Sequence, residues 1–173
     1  MKVTEILIEE HRNILKFIDV LNNEVNKLEE RKEIDKNFFV KAIEFIRNYA
    51  DKFHHAKEED ILFKEFIKAA EEGCVHCNPV EQMLFEHNQG RDFVKGMEQG
   101  LNENNKNKII ENTKGYCKLL KEHIFKEDNI LYPMADEALS QKVQEAVLKK
   151  FKLAEKQKKR DKEKALKFVK SLR

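Results

Sequence analysis

The stretch His54-His55-Ala56-Lys57-Glu58-Glu59-Asp60-Ile61-Leu62-Phe63 returns sixty-nine residues later as His123-Ile124-Phe125-Lys126-Glu127-Asp128-Asn129-Ile130-Leu131-Tyr132. Both copies fit H-x-x-K-E-[ED]-[DN]-I-L-[FY]. In each, a histidine and a glutamate stand four apart, one above the other on a helix face. Extending the apolar spacing outward from each copy predicts two long helices. One starts near Asp35 and stops before Gly73, with the inner stripe Phe39, Ile43, Ile46, Ala50, His54, Glu58 and Ile61. The other follows the polar run from Asn102 to Asn107, with the stripe Ile109, Thr113, Tyr116, Leu120, His123, Glu127, Ile130 and Met134, and Pro133 bends or ends it.

Two further helices pair with these. The first is predicted after Thr4, as N-cap, to about Arg31, with Leu7, His11, Ile14, Ile18, Leu21, Val25 and Leu28 inward. The third opens at Asn78-Pro79, with Val80, Met83, His87, Gly90, Val94, Met97 and Leu101 inward. On each of these stripes the ionisable residue is a histidine, in Glu10-His11 and Glu86-His87. The loops are short, so consecutive helices run antiparallel. The fold expected is all-α: an up-down-up-down four-helix bundle over residues 1–139, with an additional basic C-terminal helix in 140–173. Ser140 would cap that helix and Val143, Val147, Phe151 and Ala154 would cover one side of the bundle.

Composition agrees with long helices, since 173 residues hold five Gly and two Pro. The net charge of +2 conceals an asymmetry: residues 141–173 carry thirteen Lys and Arg against four Asp and Glu. A solvated Lys-rich helix explains this, and without an aromatic-interleaved basic motif no nucleic acid partner is expected. There is no apolar run of membrane-spanning length and no signal-peptide pattern, and the three cysteines are an odd number. These features give the expectation of a cytoplasmic location.

Burying one charged glutamate without a partner costs several kcal/mol, and two on facing helices repel as well. A pair of divalent cations removes both problems. His11, His54, Glu58, His87, His123 and Glu127 therefore read as the ligands of a two-metal centre, two histidines to each ion with both glutamates bridging. That leaves room for a bridging oxide or hydroxide and an exogenous molecule. No thiolate lies on the stripes; imidazole with carboxylate suits iron first, with manganese or zinc as substitutes. An iron pair can supply two electrons to O2.

A lone His in the first helix, HxxxE in the second, EH in the third and HxxxE in the fourth together resemble the hemerythrin-like HHE cation-binding domains, over about residues 4 to 138. The resemblance implies a non-haem di-iron centre held by those six residues. Oxygen-carrying hemerythrins have a further His four residues before the third-helix ligand, where this chain has Met83, and they close with HxxxxD, which Asp128 would satisfy. Glu127 is preferred because it lies on the inner stripe and repeats Glu58. The four-His, two-Glu set looks more like the bacterial hemerythrin-like proteins tied to nitric oxide, oxidative stress and iron–sulfur repair. Glu10, Glu86 or a water could take the missing histidine's place. The implied function is binding, sensing or reaction with O2, peroxide or NO, with an unidentified electron donor. The alternatives are a di-iron enzyme reducing peroxide or NO or handling iron, and a non-redox interaction module.

The remaining residues have quieter readings. His55, Glu59 and Asp60 are expected on the surface, with Lys57, Lys126 and the extra acids on the outer face. Met83, Met97, Met134 and Cys117 are expected to pack the core, as is Tyr116, which could alternatively stand behind the ligands. Ile14, Ile61, Val94 and Leu120 are expected to wall an apolar pocket. Cys74-Val75-His76-Cys77 is either a pair of free thiols in a turn or a redox or metal site.

Overall fold

A computed structural model of the chain describes residues 2–30, 33–73 and 77–172. Cys74, Val75 and His76 lie outside the described residues, so the reading of that loop rests on sequence; Cys77 is exposed. The first helix, α1, is Val3–Glu30. Residues 36–71 form one helix, α2, made of Lys36–Phe45, the π-helical runs Ile46–His55 and Glu58–Leu62, and Phe63–Glu71. Val80–Asn102 is α3. Residues 106–138 form α4, as Lys106–Lys126, the π-helical Glu127–Leu131 and Tyr132–Ala138. Together α1 to α4 make the up-down-up-down bundle. The extension forms two helices rather than one, α5 (Gln141–Gln157) and α6 (Lys159–Ser171), with the chain turning at Lys158.

Helix ends follow local chemistry. Asp35 and Asn105 accept hydrogen bonds from the amides of Phe38 and Lys108, which satisfies N-terminal donors. Gly73 stops α2 at φ +80°, a backbone conformation that suits glycine. Thr4 is not a cap: α1 begins one residue earlier, and the buried Thr4 hydroxyl donates to Asp136 at 2.8 Å. Pro133 does not end α4, because it falls in the first turn after the π-helical run, where its fixed φ suits the helix.

The repeated phrase has the same backbone consequence twice. The amide of Phe63 donates to the Glu58 carbonyl, and that of Tyr132 to the Glu127 carbonyl, five residues back instead of four. Such a turn holds one more residue than a regular one and marks functional sites in many helices. The buried stripe therefore steps on by one position. Leu62 and Leu131 are buried, while Ile61 is half-buried and Ile130 is 48% exposed. This corrects the expectation that Ile61 and Ile130 continue the inner stripes.

Two apolar cores result. One gathers Phe17, Ile18, Phe39, Phe45, Tyr49, Met97, Ile109 and Tyr116, the other Leu7, Leu62, Phe66, Met83, Leu131 and Ala135. The polar cluster described below separates them. The extension docks by apolar side chains, Val147 and Phe151 on the second core and Ala165 on the first. Its lysines meet bundle acids: Lys150 lies 3.2 Å from Glu65, and Lys164 pairs with Glu44. Among the described residues no helix is long and apolar enough to cross a membrane.

The register makes a direct prediction. Leu131→Ala should lower unfolding free energy by about 2–5 kcal/mol, as truncations of buried leucine do. Ile130→Ala should cost about 0.5 kcal/mol, as at an exposed site. Urea titrations of the two variants read the difference, and equal costs would contradict the π-helical register.

Candidate metal centre

All six predicted residues meet between the two cores, and each is buried. Glu58 Oε2 lies 3.6 Å from His54 Nε2 and 3.5 Å from His87 Nε2. Glu127 Oε2 lies 3.3 Å from His11 Nε2, and its Oε1 3.2 Å from His123 Nε2. Each carboxylate thus stands between a histidine of one helical hairpin and a histidine of the other. The His11 and His54 rings are 4.5 Å apart at 60°, and the His87 and His123 rings 4.7 Å apart at 63°. The two histidine pairs are near copies of each other.

The donor set fits a pair of cations. His54 Nε2, Glu58 Oε2 and both Glu127 oxygens are buried with no hydrogen-bond partner among the described residues. Buried polar atoms are rarely left so, and four converging on one point mark a binding site for positive charge. His87 Nε2 and His123 Nε2 approach to 3.0 Å. Two nitrogens each about 2.1 Å from one ion, at right angles, stand about 3.0 Å apart. Burial pushes the Glu58 carboxyl well above the usual carboxylate range, and the neighbouring charge of Glu127 pushes it further. Cations would lift that penalty.

A ring of charged groups behind the cluster orients it, again in duplicate. His54 Nδ1 is 2.9 Å from Glu10, which is ion-paired to Lys57; His123 Nδ1 is 2.8 Å from Glu86, which is ion-paired to Lys126. His11 Nδ1 is 2.7 Å from Asp128, and His87 Nδ1 is 2.7 Å from Glu59. With a carboxylate behind Nδ1, that nitrogen holds the proton and Nε2 turns its lone pair to the cluster. Glu10 and Glu86 therefore do not replace a missing histidine; they sit behind the rings. Asp128 likewise lies behind His11, which leaves Glu127 as the carboxylate inside the cluster.

These contacts overturn the outer-face reading of the repeat's other letters. Lys57 is 1% exposed, with its ammonium 4.1 Å from the centre of the Phe53 ring and α5 over it. Glu59 and Asp128 are drawn inward because each completes a histidine of the opposite hairpin. His55 is buried too, stacked on His87 at 3.8 Å between ring centres. The π-helical run that ends at His55 admits the extra residue that turns both His54 and His55 inward. Tyr132 was not singled out from sequence either; its hydroxyl donates to Glu58 Oε1 at 2.5 Å and its ring stacks on His11. The signal for the lysines and acids was in the repeat itself, since a merely solvated helix face has no need to write the same charged letters twice.

The surroundings of the two halves differ. A cavity of about 430 Å³ reaches His55, His87 and His123, with Gly90, Val94 and Leu120 among its walls. Val94 and Leu120 thus wall a pocket as expected, whereas Ile14 packs in the core and Ile61 lies away from it. Met83, Met97, Tyr116 and Cys117 are buried in the cores.

The fold and the cluster define a metal-binding four-helix bundle whose centre is built from imidazoles and carboxylates. Residues 2–135 match the hemerythrin HHE cation binding domain, and the chain belongs to that family. No curated protein and no solved structure matches it.

Removing the carboxylates behind the histidines tests the ring of support. Glu59→Ala and Asp128→Ala should each weaken metal binding by about 10–100-fold, since such groups hold ligand rings in place. Competition against a coloured chelator measures the loss, and unchanged affinity in both variants would refute the orienting role.

Proposed function

We propose that the centre holds two iron ions and that the protein binds, senses or reacts with O2, peroxide or NO. The observation that carries this reading is the position of Glu58 and Glu127, each between histidines of both hairpins, with unpartnered oxygens facing inward. His11 and His54 would hold one ion, His87 and His123 the other, and the two glutamates would span them. Four imidazoles with two carboxylates suit iron before manganese or zinc. An iron pair would supply two electrons to a small oxidant, which a zinc pair does not.

The chain's own residues do the rest. Glu10, Glu59, Glu86 and Asp128 keep the four rings in one tautomer and orientation. Tyr132 holds one Glu58 oxygen by its hydroxyl, fixing that carboxylate's rotation. Burial between two apolar cores keeps bulk water from the cluster, which strengthens every charge interaction inside it. The functional unit is residues 1–139, with 140–173 as its cover, acting in the cytoplasm with an electron donor yet to be identified.

Anaerobic loading with ferrous iron, followed by air, tests the reading. The expected result is about two irons per chain, as in two-metal sites, and a visible absorption band on exposure to air. A band that disappears under vacuum indicates reversible binding; a ferric product with turnover on added peroxide or NO indicates an enzyme. Glu58→Ala and Glu127→Ala should each lower iron content, and retention of full iron in both would refute the bridging assignment. Chelating the metal from the wild-type chain should lower its thermal midpoint, because a cation that binds the folded state stabilises it.

A further inference from the structure

The family match ends at residue 135, and the C-terminal extension lies beyond it. Residues 141–173 carry thirteen Lys and Arg against four Asp and Glu, whereas the rest of the chain carries twenty-one against twenty-eight. The structure sorts these charges by side. Both α5 and α6 lie over α1 and α2: Phe151 and Glu155 cover Lys57 of α2, and Phe168 meets Phe17 of α1 and Phe45 of α2. With their apolar residues turned to the bundle, the two helices present their outer faces on the same side of the molecule.

On α5 that outer face is Lys142, Lys149, Lys152 and Lys156, at steps of seven, three and four, the spacing of one helix face. All four are exposed, opposite the buried Val147 and Phe151. On α6, Arg160, Lys167 and Lys170 are exposed opposite the buried Ala165. Lys150, Lys159 and Lys164 are taken up by Glu65, Glu163 and Glu44. Among the described residues the other seven basic groups have no acidic partner. Glu145 shares the α5 stripe and accepts a hydrogen bond from Gln141. Leu153, next to Lys152 and four residues on from Lys149, is 58% exposed, a large apolar side chain set among ammonium groups.

We propose that the outer face of α5 and α6 is a docking surface for an anionic lipid bilayer, with the lysines at the headgroups and Leu153 reaching below them. Seven basic groups fall within the cluster size that holds a helix to anionic headgroups. A net charge of +2 gives little overall attraction, but the separation of charge orients the molecule, basic layer toward the membrane and acidic bundle away from it. The chemistry of the face favours lipid over nucleic acid. Lysine is a compact charge with no fixed geometry, which suits a plane of mobile headgroups, whereas nucleic-acid surfaces rely on arginine forks and aromatic rings. Six of the seven groups are lysines, and among the described residues of α5 and α6 no aromatic side chain is exposed. The proposal goes beyond the two-iron reading and does not depend on it.

The test uses the full metal-loaded chain, sedimented with vesicles of phosphatidylglycerol and phosphatidylcholine in equal parts, and with vesicles of phosphatidylcholine alone. The chain should sediment with the first and not the second, and salt raised from about 0.05 M to about 0.5 M should release it. Combined Lys149→Glu, Lys152→Glu and Lys156→Glu should weaken binding at least about a hundredfold, with metal content unchanged. These lysines have no partner to lose, and the milder pair Lys149→Gln and Lys156→Gln should show a smaller loss in the same direction. The chain holds no tryptophan, so Leu153→Trp places a single indole on this face. Its emission should shift to the blue on the anionic vesicles and not on duplex DNA. No sedimentation with anionic vesicles, equal sedimentation with neutral ones, or binding undiminished by the charge reversals would overturn the inference. So would an emission shift as large on DNA as on vesicles, or a DNA duplex that strips the chain from vesicles at equal phosphate concentration, which would make nucleic acid the occupant.

Discussion

Two carboxylates, Glu58 and Glu127, lie at the centre of this molecule with no exposed surface. Such a placement is costly, because burying like charges side by side carries both desolvation and repulsion. The surrounding structure answers that cost. Four imidazoles bring their nitrogens to the same point, and the two apolar cores lie to either side of this polar layer rather than meeting through it. The helix that carries each glutamate widens by one residue at that place, so the Glu reaches the centre while the leucine four residues on still enters a core. The π-helical turns thus let one helix serve a polar site and an apolar core in consecutive turns.

The site is built by exchange between two helical hairpins. The acid that follows each inward Glu, Glu59 or Asp128, does not serve its own hairpin; it reaches the lone histidine of the other, His87 or His11. The lysine that precedes the Glu, Lys57 or Lys126, holds the acid behind the repeat's own first histidine. Each copy of the phrase therefore supplies an inward His and Glu, a clamp for its own side and an orienting group for the far side. The duplicates are not electrostatically equal. Burial lifts Glu10 to about 7 in spite of Lys57, while at Glu86, nearer solvent, the opposing burial is outweighed by His123 and Lys126 and the carboxyl falls to about 2.

The helical stripes and the six inward residues were legible in the sequence because helix period and residue type suffice to show them. His11 and His87 stood out as lone ionisable positions on apolar stripes, and Asp35 and Gly73 marked the ends of α2. What a regular period of 3.6 could not show was the phase shift at the π-helical turns. Extrapolated straight through, the period buries Ile61 and Ile130 and turns His55 outward; the extra residue in each turn reverses those placements. Lys57 was misread for a different reason. Side-chain charge argues for solvent, and only tertiary contact with Glu10 and the covering Phe151 of α5 makes burial tolerable. Thr4 resembled a cap because its hydroxyl suits that role, but Asp136 from α4 offers it a partner inside the fold.

The C-terminal helices give the duplicated centre a second inequality. They pack over the α1 and α2 side, where Phe151 and Glu155 cover Lys57 and Phe168 lies against Phe17 and Phe45. The opposite lysine, Lys126, has no such cover and is 28% exposed. An acidic bundle and a basic extension attract, yet ion pairs near a surface contribute little each. The apolar residues Val147, Phe151 and Ala165 must then carry the docking, with the lysines setting where it occurs. The consequence is one-sided: the His11 half is flanked by α5 and α6, while the His87 half borders a cavity between α2, α3 and α4. Internal duplication repeats the charged groups around the buried cluster, and the extension on one side makes its two halves unequal.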